Sequence, residues 1–300
     1  MSFLLRLTPI AMLTFVVSSM LAMGLSLTVS QIVMPLKSVR LVAVSLIANF
    51  VLMPFAALGI AKLLGLDEPL AIGLLLLGAA AGAPFLPKLT QVAEGDLAFA
   101  VGLMVLLMVI TVAYLPVVLP LFLPGVTVDA MKIAQSLFLL MLLPLAVALV
   151  VRANFPDFSA RAKPPLAKTS SLALIALVAL LIITNFRSVL SVFGTRGILA
   201  GLIFIFAGYF IGWLLGGPRS GTRAVLGLGT SQRNIAAALV VGSQSFTDAK
   251  VVVMVVVVAI VGLLILFPIA GKLSRKALHE SPGATGAGGA ARPAGSQASA

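Results

Sequence analysis

The chain has 300 residues, of which 61% are hydrophobic and only 9% are charged, and its net charge is +12. Soluble globular domains carry about 25% charged residues, so this composition excludes a soluble protein and indicates an integral membrane protein. The chain lacks cysteine and has one histidine, His279, which excludes thiolate metal sites, histidine-based triads and histidine zinc sites. We therefore expect no cofactor, no metal centre and no enzymatic activity.

Long apolar runs predict membrane-spanning helices, because each span needs about 20 such residues. The runs are continuous, which excludes the alternating pattern of a membrane β-barrel. The predicted fold class is therefore an all-α polytopic membrane protein with about nine transmembrane helices. The predicted spans are 8–30, 40–64, 69–87, 97–123, 131–151, 166–186, 197–215, 221–243 and 250–271.

The positive charges are distributed unequally between the two membrane faces. Over alternate loops, 13 Lys and Arg residues fall on one side and six on the other. Cytoplasmic loops accumulate these residues, so we expect the N-terminus outside and the C-terminus in the cytoplasm of a bacterial inner (plasma) membrane. This charge bias explains the positive net charge, so we expect no nucleic-acid partner. We expect membrane lipids around the chain, and no protein partner is evident from the sequence. The first run is too long for a signal peptide and lacks a clear cleavage site, so we interpret it as a span.

The chain divides into two similar halves. We predict a first membrane repeat at 1–151, a basic cytoplasmic loop at 152–165, a second membrane repeat at 166–278 and a disordered cytoplasmic tail at 279–300. Each repeat has a Gly-rich stretch, a polar break with a cation, an acidic residue and a long apolar run. An odd number of spans separates the matching segments, so the repeats are predicted to be inverted. Inverted repeats with interrupted helices are typical of secondary transporters, whose binding sites lie at the interruptions.

A polar stretch interrupts the eighth predicted span. It consists of Thr230, Ser231, Gln232, Arg233 and Asn234. A guanidinium at the centre of a membrane helix costs roughly 2.5–3.5 kcal/mol, and irregular backbone at that depth must face protein or a watery cavity. These residues are candidate ligands of a substrate or ion, and the alternative is that they only bond neighbouring helices. We expect Arg233→Ala to abolish uptake and to leave the protein folded.

Two further polar residues are candidates for the same site. Lys88 lies in the first break, where it corresponds to Arg233, and Asn49 lies within the second span. Either Lys88 and Arg233 face a cavity that holds an anion, or Lys88 snorkels to lipid headgroups. Asn49 either completes the site or ties helices together, with Pro54 freeing a backbone carbonyl one turn earlier.

Four short motifs occur in an informative order. They are residues 23–27, 49–54, 93–96 and 232–238. Together they resemble the bile acid:sodium symporter superfamily over nearly all of the chain from Met23 to Lys272. The resemblance implies a core domain and a panel domain, with two discontinuous helices that cross at the centre of the core, and it implies organic anions as substrates. Many members have ten spans, and this chain is similar to a nine-span form that lacks the first.

The positions that the resemblance assigns to sodium ligands differ in this chain. Residues without a side-chain oxygen stand at five of them, namely Leu86, Pro87, Ala100, Met104 and Leu228. Gln232 is retained, and Asn49 stands where a glutamine is usual. A hard cation needs several oxygen ligands. We hypothesise that Lys88 and Arg233 replace the sodium charges with permanent ones.

The sequence thus predicts a secondary active transporter of a small organic anion that works by alternating access. The coupling ion is sodium or a proton, and transport is sodium-independent if the two cations replace sodium. A desolvated Lys88 that releases its proton would permit proton coupling. The alternatives are a conventional sodium:organic anion symporter with sites built from backbone and, in another class, an ion channel or facilitative pore. Channels need a path lined by rings of similar groups, which inverted repeats in one chain do not suggest.

Overall fold

The structure of the protein is a computed structural model that describes residues 2–33, 37–123, 129–184 and 195–280. Every regular element in this part of the chain is a helix. Short π-helical turns at Ala48–Leu52 and Phe138–Leu142 join α3 to α4 and α8 to α9. In chain order the helices are α1 Ser2–Gly24, α2 Val29–Val33, α3 Val39–Ile47, α4 Met53–Leu64, α5 Glu68–Ala79, α6 Leu86–Val92, α7 Leu97–Phe122, α8 Ala130–Leu137, α9 Leu143–Asn154, α10 Pro156–Thr184, α11 Gly197–Leu215, α12 Ser220–Ser231, α13 Ile235–Ser245 and α14 Ala249–Glu280.

The predicted all-α polytopic membrane fold is confirmed, with eight candidate spans among the described residues instead of nine. The predicted span 69–87 is the exception, because α5 has 12 residues and α6 has 7. A 12-residue helix is about 18 Å long, shorter than the roughly 30 Å hydrocarbon layer. The candidate span Ser220–Ser245 contains a second break, between α12 and α13. The inverted relation of the two repeats stays a prediction.

Two of the segment boundaries also differ from the sequence-based ones. The stretch 152–165 was predicted as a loop, but α10 begins at Pro156 and includes Pro164 and Pro165. Proline is favoured in the first helical turn, where its missing N–H costs nothing, so Pro156 starts a helix here. At the other end α14 continues to Glu280, and the rest of the predicted tail, 281–300, lies outside the described residues.

The helices form two groups. The first, which we call the small group, contains α1, α2 and α8 to α10. In it α1 packs along α10 and against α9, and α8 continues into α9 through a π-helical turn. In the second, the large group, α5 packs against α4, α7, α13 and α14, and α11 packs against α12 and α14. The groups meet mainly where α7 and α13 contact α8, where α2 contacts α7 and where α1 contacts α13. Sparse contact between two well-packed groups leaves room for the cavities described below.

Close packing inside the large group depends on small residues. A Cβ atom added to Gly212 of α11 would lie 2.1 Å from the carbonyl oxygen of Leu226 in α12. Gly73 of α5 approaches the backbone of α14 in the same way, with an added Cβ 2.6 Å from the oxygen of Val251. Small residues let membrane helices approach backbone to backbone, because lipid tails offer no hydrophobic driving force for association. The two broken helices therefore pack closely against α11 and α14.

Candidate substrate and ion site

The two helix breaks lie against each other at the centre of the large group. The first break joins α5 to α6 through residues 80–85, and the second joins α12 to α13 through residues 232–234. The backbone N–H of Asn234 donates to the carbonyl oxygen of Ala80 at 2.9 Å. Asn234 also caps α13, since its Oδ1 accepts from the N–H of Ala237 at 3.1 Å. The two breaks are thus in direct contact, which fits the crossing of discontinuous helices that the family resemblance implies.

Arg233 is buried at this crossing, with 4% of its surface exposed. Nε donates to the carbonyl oxygen of Leu77 at 2.8 Å. Nη1 donates to Asn49 Oδ1 at 2.6 Å and to the carbonyl oxygen of Thr230 at 3.1 Å. Nη2 donates to the carbonyl oxygens of Gly78 at 2.6 Å and Asn49 at 3.3 Å. A guanidinium has five N–H donors, and each has an acceptor here.

The acceptors around Arg233 explain how a charge is tolerated at this depth. Leu77 and Gly78 are in the last turn of α5, and Thr230 is in the last turn of α12. The carboxyl end of a helix carries about half a negative charge, which favours a cation. Two helix dipoles therefore converge on one guanidinium. In this structure every donor of Arg233 is bonded within the protein, and its predicted role as a substrate- or ion-binding residue stays a prediction.

The π-helical turn at Ala48–Leu52 supplies the remaining acceptors. The N–H of Met53 bonds to the carbonyl of Ala48, which leaves the carbonyl of Asn49 free for Arg233. Pro54 has no N–H, so the carbonyl of Phe50 lacks its helical donor. The hydroxyl of Tyr114 in α7 donates to that oxygen. The carbonyl that Pro54 was expected to free is therefore that of Phe50, and it accepts a hydrogen bond from Tyr114.

The side chain of Asn49 both joins the cluster and ties helices together. Its Nδ2 donates to the carbonyl of Ser45 at 3.0 Å and to Thr230 Oγ1 at 3.3 Å, while its Oδ1 accepts from Arg233. Ser231 donates to the carbonyl of Ile205 in α11 at 2.7 Å. Gln232 is buried beside them, and Asn234 Nδ2 is a buried donor without a partner among the described atoms. Six of the seven predicted site residues therefore lie together.

Lys88 is the predicted site residue that lies elsewhere. It is in the first turn of α6, whose buried face is formed by Leu86, Leu89 and Thr90. Its side chain is exposed and its Nζ donates to Gln91 Oε1 at 3.4 Å. The structure therefore does not bring Lys88 into the buried cluster of Arg233, and the hypothesis that the two cations replace the sodium charges stays a prediction. Lys88 lies on the wall of a cavity instead of at the crossing.

That cavity, which we call cavity 1, has a volume of about 700 Å³ and lies between the two helix groups. The small group contributes α1 and α10, and the large group contributes the first break, α6 and α7. Sequence reasoning missed Lys163, Ser19, Ser26 and Ser170 on its walls. Lys163 and Ser170 are seven residues apart in α10, which places them on one face of that helix, whereas Ser26 lies in the turn that follows α1. This spacing was the available signal.

A second cavity, cavity 2, has a volume of about 390 Å³ and lies along the same boundary. It is lined by Thr8, Met12 and Leu13 of α1, by Leu177 of α10, and by the end of α13 with the following loop. Cavity 1 is lined by later residues of α1 and by earlier residues of α10. Because α1 and α10 each line both cavities with different turns, the cavities lie at opposite ends of one interface.

A model of the Sodium Bile acid symporter family matches residues 12–192 of the chain. The chain belongs to this family. The match to the Sodium Bile acid symporter family includes Asn49 and Lys88, whereas Thr230–Asn234 lie outside the matched residues. The family consists of transporters, and the eight candidate spans among the described residues indicate an integral membrane protein.

The chain is also similar to the probable sodium/metabolite cotransporter BASS2, chloroplastic, of Oryza sativa subsp. japonica. The two are 33% identical over 144 residues. This alignment covers 47% of the chain and 34% of the relative, so the chain spans about a third of the relative's length. Both comparisons confirm the predicted family.

Proposed function

We propose that the protein is a secondary active transporter that moves a small organic anion by alternating access. The observation that carries the proposal is the pair of cavities at opposite ends of the interface between the two helix groups. A carrier needs such an interface, because relative movement of the groups then closes one cavity and opens the other. The relative's name describes metabolite cotransport, which supports a small organic cargo for this chain.

A short buried segment of α1 separates the cavities. Leu13 lines cavity 2 and Ser19 lines cavity 1, so about 9 Å of helix lies between them at 1.5 Å per residue. Phe15, Val16 and Ser18 are buried in this segment. The barrier is therefore thin, and a modest rocking motion suffices to shift it.

The charge of cavity 1 supports an anionic cargo. Among the described residues, Lys88 and Lys163 line it and no acidic residue does. The other polar groups are neutral hydroxyls and amides, from Ser19, Ser26, Gln31, Gln91 and Ser170. If the charge bias of the loops gives the orientation correctly, cavity 1 faces the cytoplasm of a bacterial plasma membrane.

The crossing supports sodium-independent transport. In broken-helix transporters, unwound carbonyls and the carboxyl ends of half-helices coordinate the coupling cation. Here four such carbonyl groups and the Asn49 amide oxygen accept from Arg233. We infer that the guanidinium serves as a permanent cation and that the site residues Asn49, Thr230, Ser231, Gln232, Arg233 and Asn234 hold the crossing together. A conventional sodium symporter would need free acceptors at this point.

Alternating access can be tested by thiol labelling, because the chain has no native cysteine. Ser19→Cys in cavity 1 and Ser243→Cys in cavity 2 are expected to react with a membrane-impermeant maleimide from opposite sides of the membrane. Addition of a transported carboxylate should change the two labelling rates in opposite directions, since one cavity closes as the other opens.

Ser38→Cys, which lies outside both cavities, is the control, and its rate should not respond to the carboxylate. Labelling of both cavity positions from the same side, or rates that rise together, would contradict alternating access. Such a result would favour a continuous pore.

A further inference from the structure

Cavity 1 carries an unpaired positive charge on each of its two walls. Lys88 is on α6 in the large group, and Lys163 is on α10 in the small group. Among the described residues, neither ammonium has a carboxylate within 4.0 Å. The partner recorded for Lys88 is the neutral amide of Gln91 at 3.4 Å. Because the two lysines lie in different helix groups, the proposed transport cycle moves them relative to each other.

Closing this cavity changes the environment of both lysines. While the cavity is open their ammonium groups are exposed, and water solvates them. Closure removes water, and an ion moved into a low-dielectric surrounding without a counter-charge is strongly disfavoured. Two like charges also repel more strongly there. A single anionic group can neutralise one lysine but leaves the other uncompensated.

We propose that the cargo is a dianion whose two acidic groups bind Lys88 and Lys163, one on each wall. This inference rests on the proposed transport function and specifies its substrate class. The dianion neutralises both walls and links them, so its binding favours the closure that commits the carrier to transport. Lys163 is thus a specificity-determining residue, and Lys88 keeps the substrate-binding role predicted for it.

The rest of the lining indicates what joins the two acidic groups. Most of the other residues are apolar, including Met23, Leu27, Leu97, Val101 and Met104. An apolar body buries favourably against such walls at about 25 cal/mol per Å². The cargo is therefore an amphipathic dianion, with an apolar body between its acidic groups.

The test compares linear dicarboxylates of four to ten carbons with monocarboxylates of the same length, by calorimetric titration of the purified full-length protein. At the best length we expect the dicarboxylate to bind roughly tenfold to a hundredfold more tightly, the effect of one further hydrogen bond to a charged group. Lys88→Gln and Lys163→Gln should each reduce this preference to less than about threefold. Lys168→Gln, an exposed lysine on the same helix outside the cavity, should keep it.

Equal binding of both classes at every length would overturn the dianion proposal, as would a preference that survives in Lys163→Gln. Counterflow of the tested carboxylates in proteoliposomes then distinguishes the two levels of the argument. Transport of monocarboxylates without a dianion preference leaves the proposed function intact, whereas an absence of both binding and counterflow for every carboxylate overturns the inference and the proposed function together.

Discussion

Arg233→Ala is expected to destabilise the protein by roughly 4 kcal/mol or more and to abolish transport. The substitution leaves the acceptors on Leu77, Gly78, Asn49 and Thr230 buried without a donor. It also removes the charge on which two helix ends converge. The sequence alone predicts a folded but inactive variant, whereas the five hydrogen bonds of the guanidinium lead us to expect a loss of stability as well. Thermal unfolding in detergent measures the effect.

Arg233→Lys separates the effect of the charge from that of the guanidinium geometry, and Arg219→Ala is the control. A lysine keeps the charge but has three donors on one atom, so it cannot reach acceptors spread around a planar fork, and intermediate stability is expected. Arg219 is exposed at the start of α12, and its replacement should leave the unfolding temperature nearly unchanged. An Arg233→Ala protein with wild-type stability and transport would contradict the role of the guanidinium at the crossing.

Gly82→Ala is expected to destabilise the first break by roughly 3 kcal/mol and to impair transport strongly. Gly82 has a φ of +79°, which disfavours a residue with a Cβ. The added Cβ would lie 2.3 Å from the backbone nitrogen of Met108 and 2.7 Å from the carbonyl oxygen of Met104. The break must then move away from α7, which disturbs a wall of cavity 1. Thermal unfolding and counterflow measure the two consequences.

Movement of the break also weakens its attachment to α7. Thr111 Oγ1 accepts from the N–H of Ala81 at 3.0 Å and donates to the carbonyl of Ala81 at 3.1 Å. Gly59→Ala is the matched control, because Gly59 lies in α4 with no atom within 4 Å of an added Cβ. Its stability should be unchanged or slightly raised, since alanine favours helix more than glycine does. Equal behaviour of the two variants would contradict a structural requirement for Gly82.

The sequence predicted the parts of the fold that depend on hydropathy. Continuous apolar runs predicted the order of the spans, and eight of the nine predicted spans correspond to a candidate span among the described residues, since each span must satisfy its own backbone in lipid. A charged residue far from both membrane surfaces also marked the second break correctly. The first break was predicted at Pro87 and Lys88, but both residues lie in α6, and the break itself comprises residues 80–85.

The contacts that depend on geometry could not be predicted in this way. Nothing in the local pattern shows that Arg233 reaches carbonyls 155 and 156 residues earlier in the chain, because those acceptors are backbone atoms of apolar residues. The π-helical turn that frees the carbonyl of Asn49 could not be predicted from the sequence, in which Pro54 is its only indication. Lys163 was assigned to a loop because prolines and charges surround it, yet it lies on a helix that lines cavity 1.

Counterflow in proteoliposomes, measured in NaCl and in choline chloride at matched ionic strength, is the decisive measurement. The labelled cargo is the carboxylate that binds most tightly in the titrations. From the proposed role of Arg233 as a permanent cation, we expect saturable counterflow at the same rate in both salts. Counterflow that requires sodium would show that a metal ion still binds, and would contradict the permanent-cation role of Arg233.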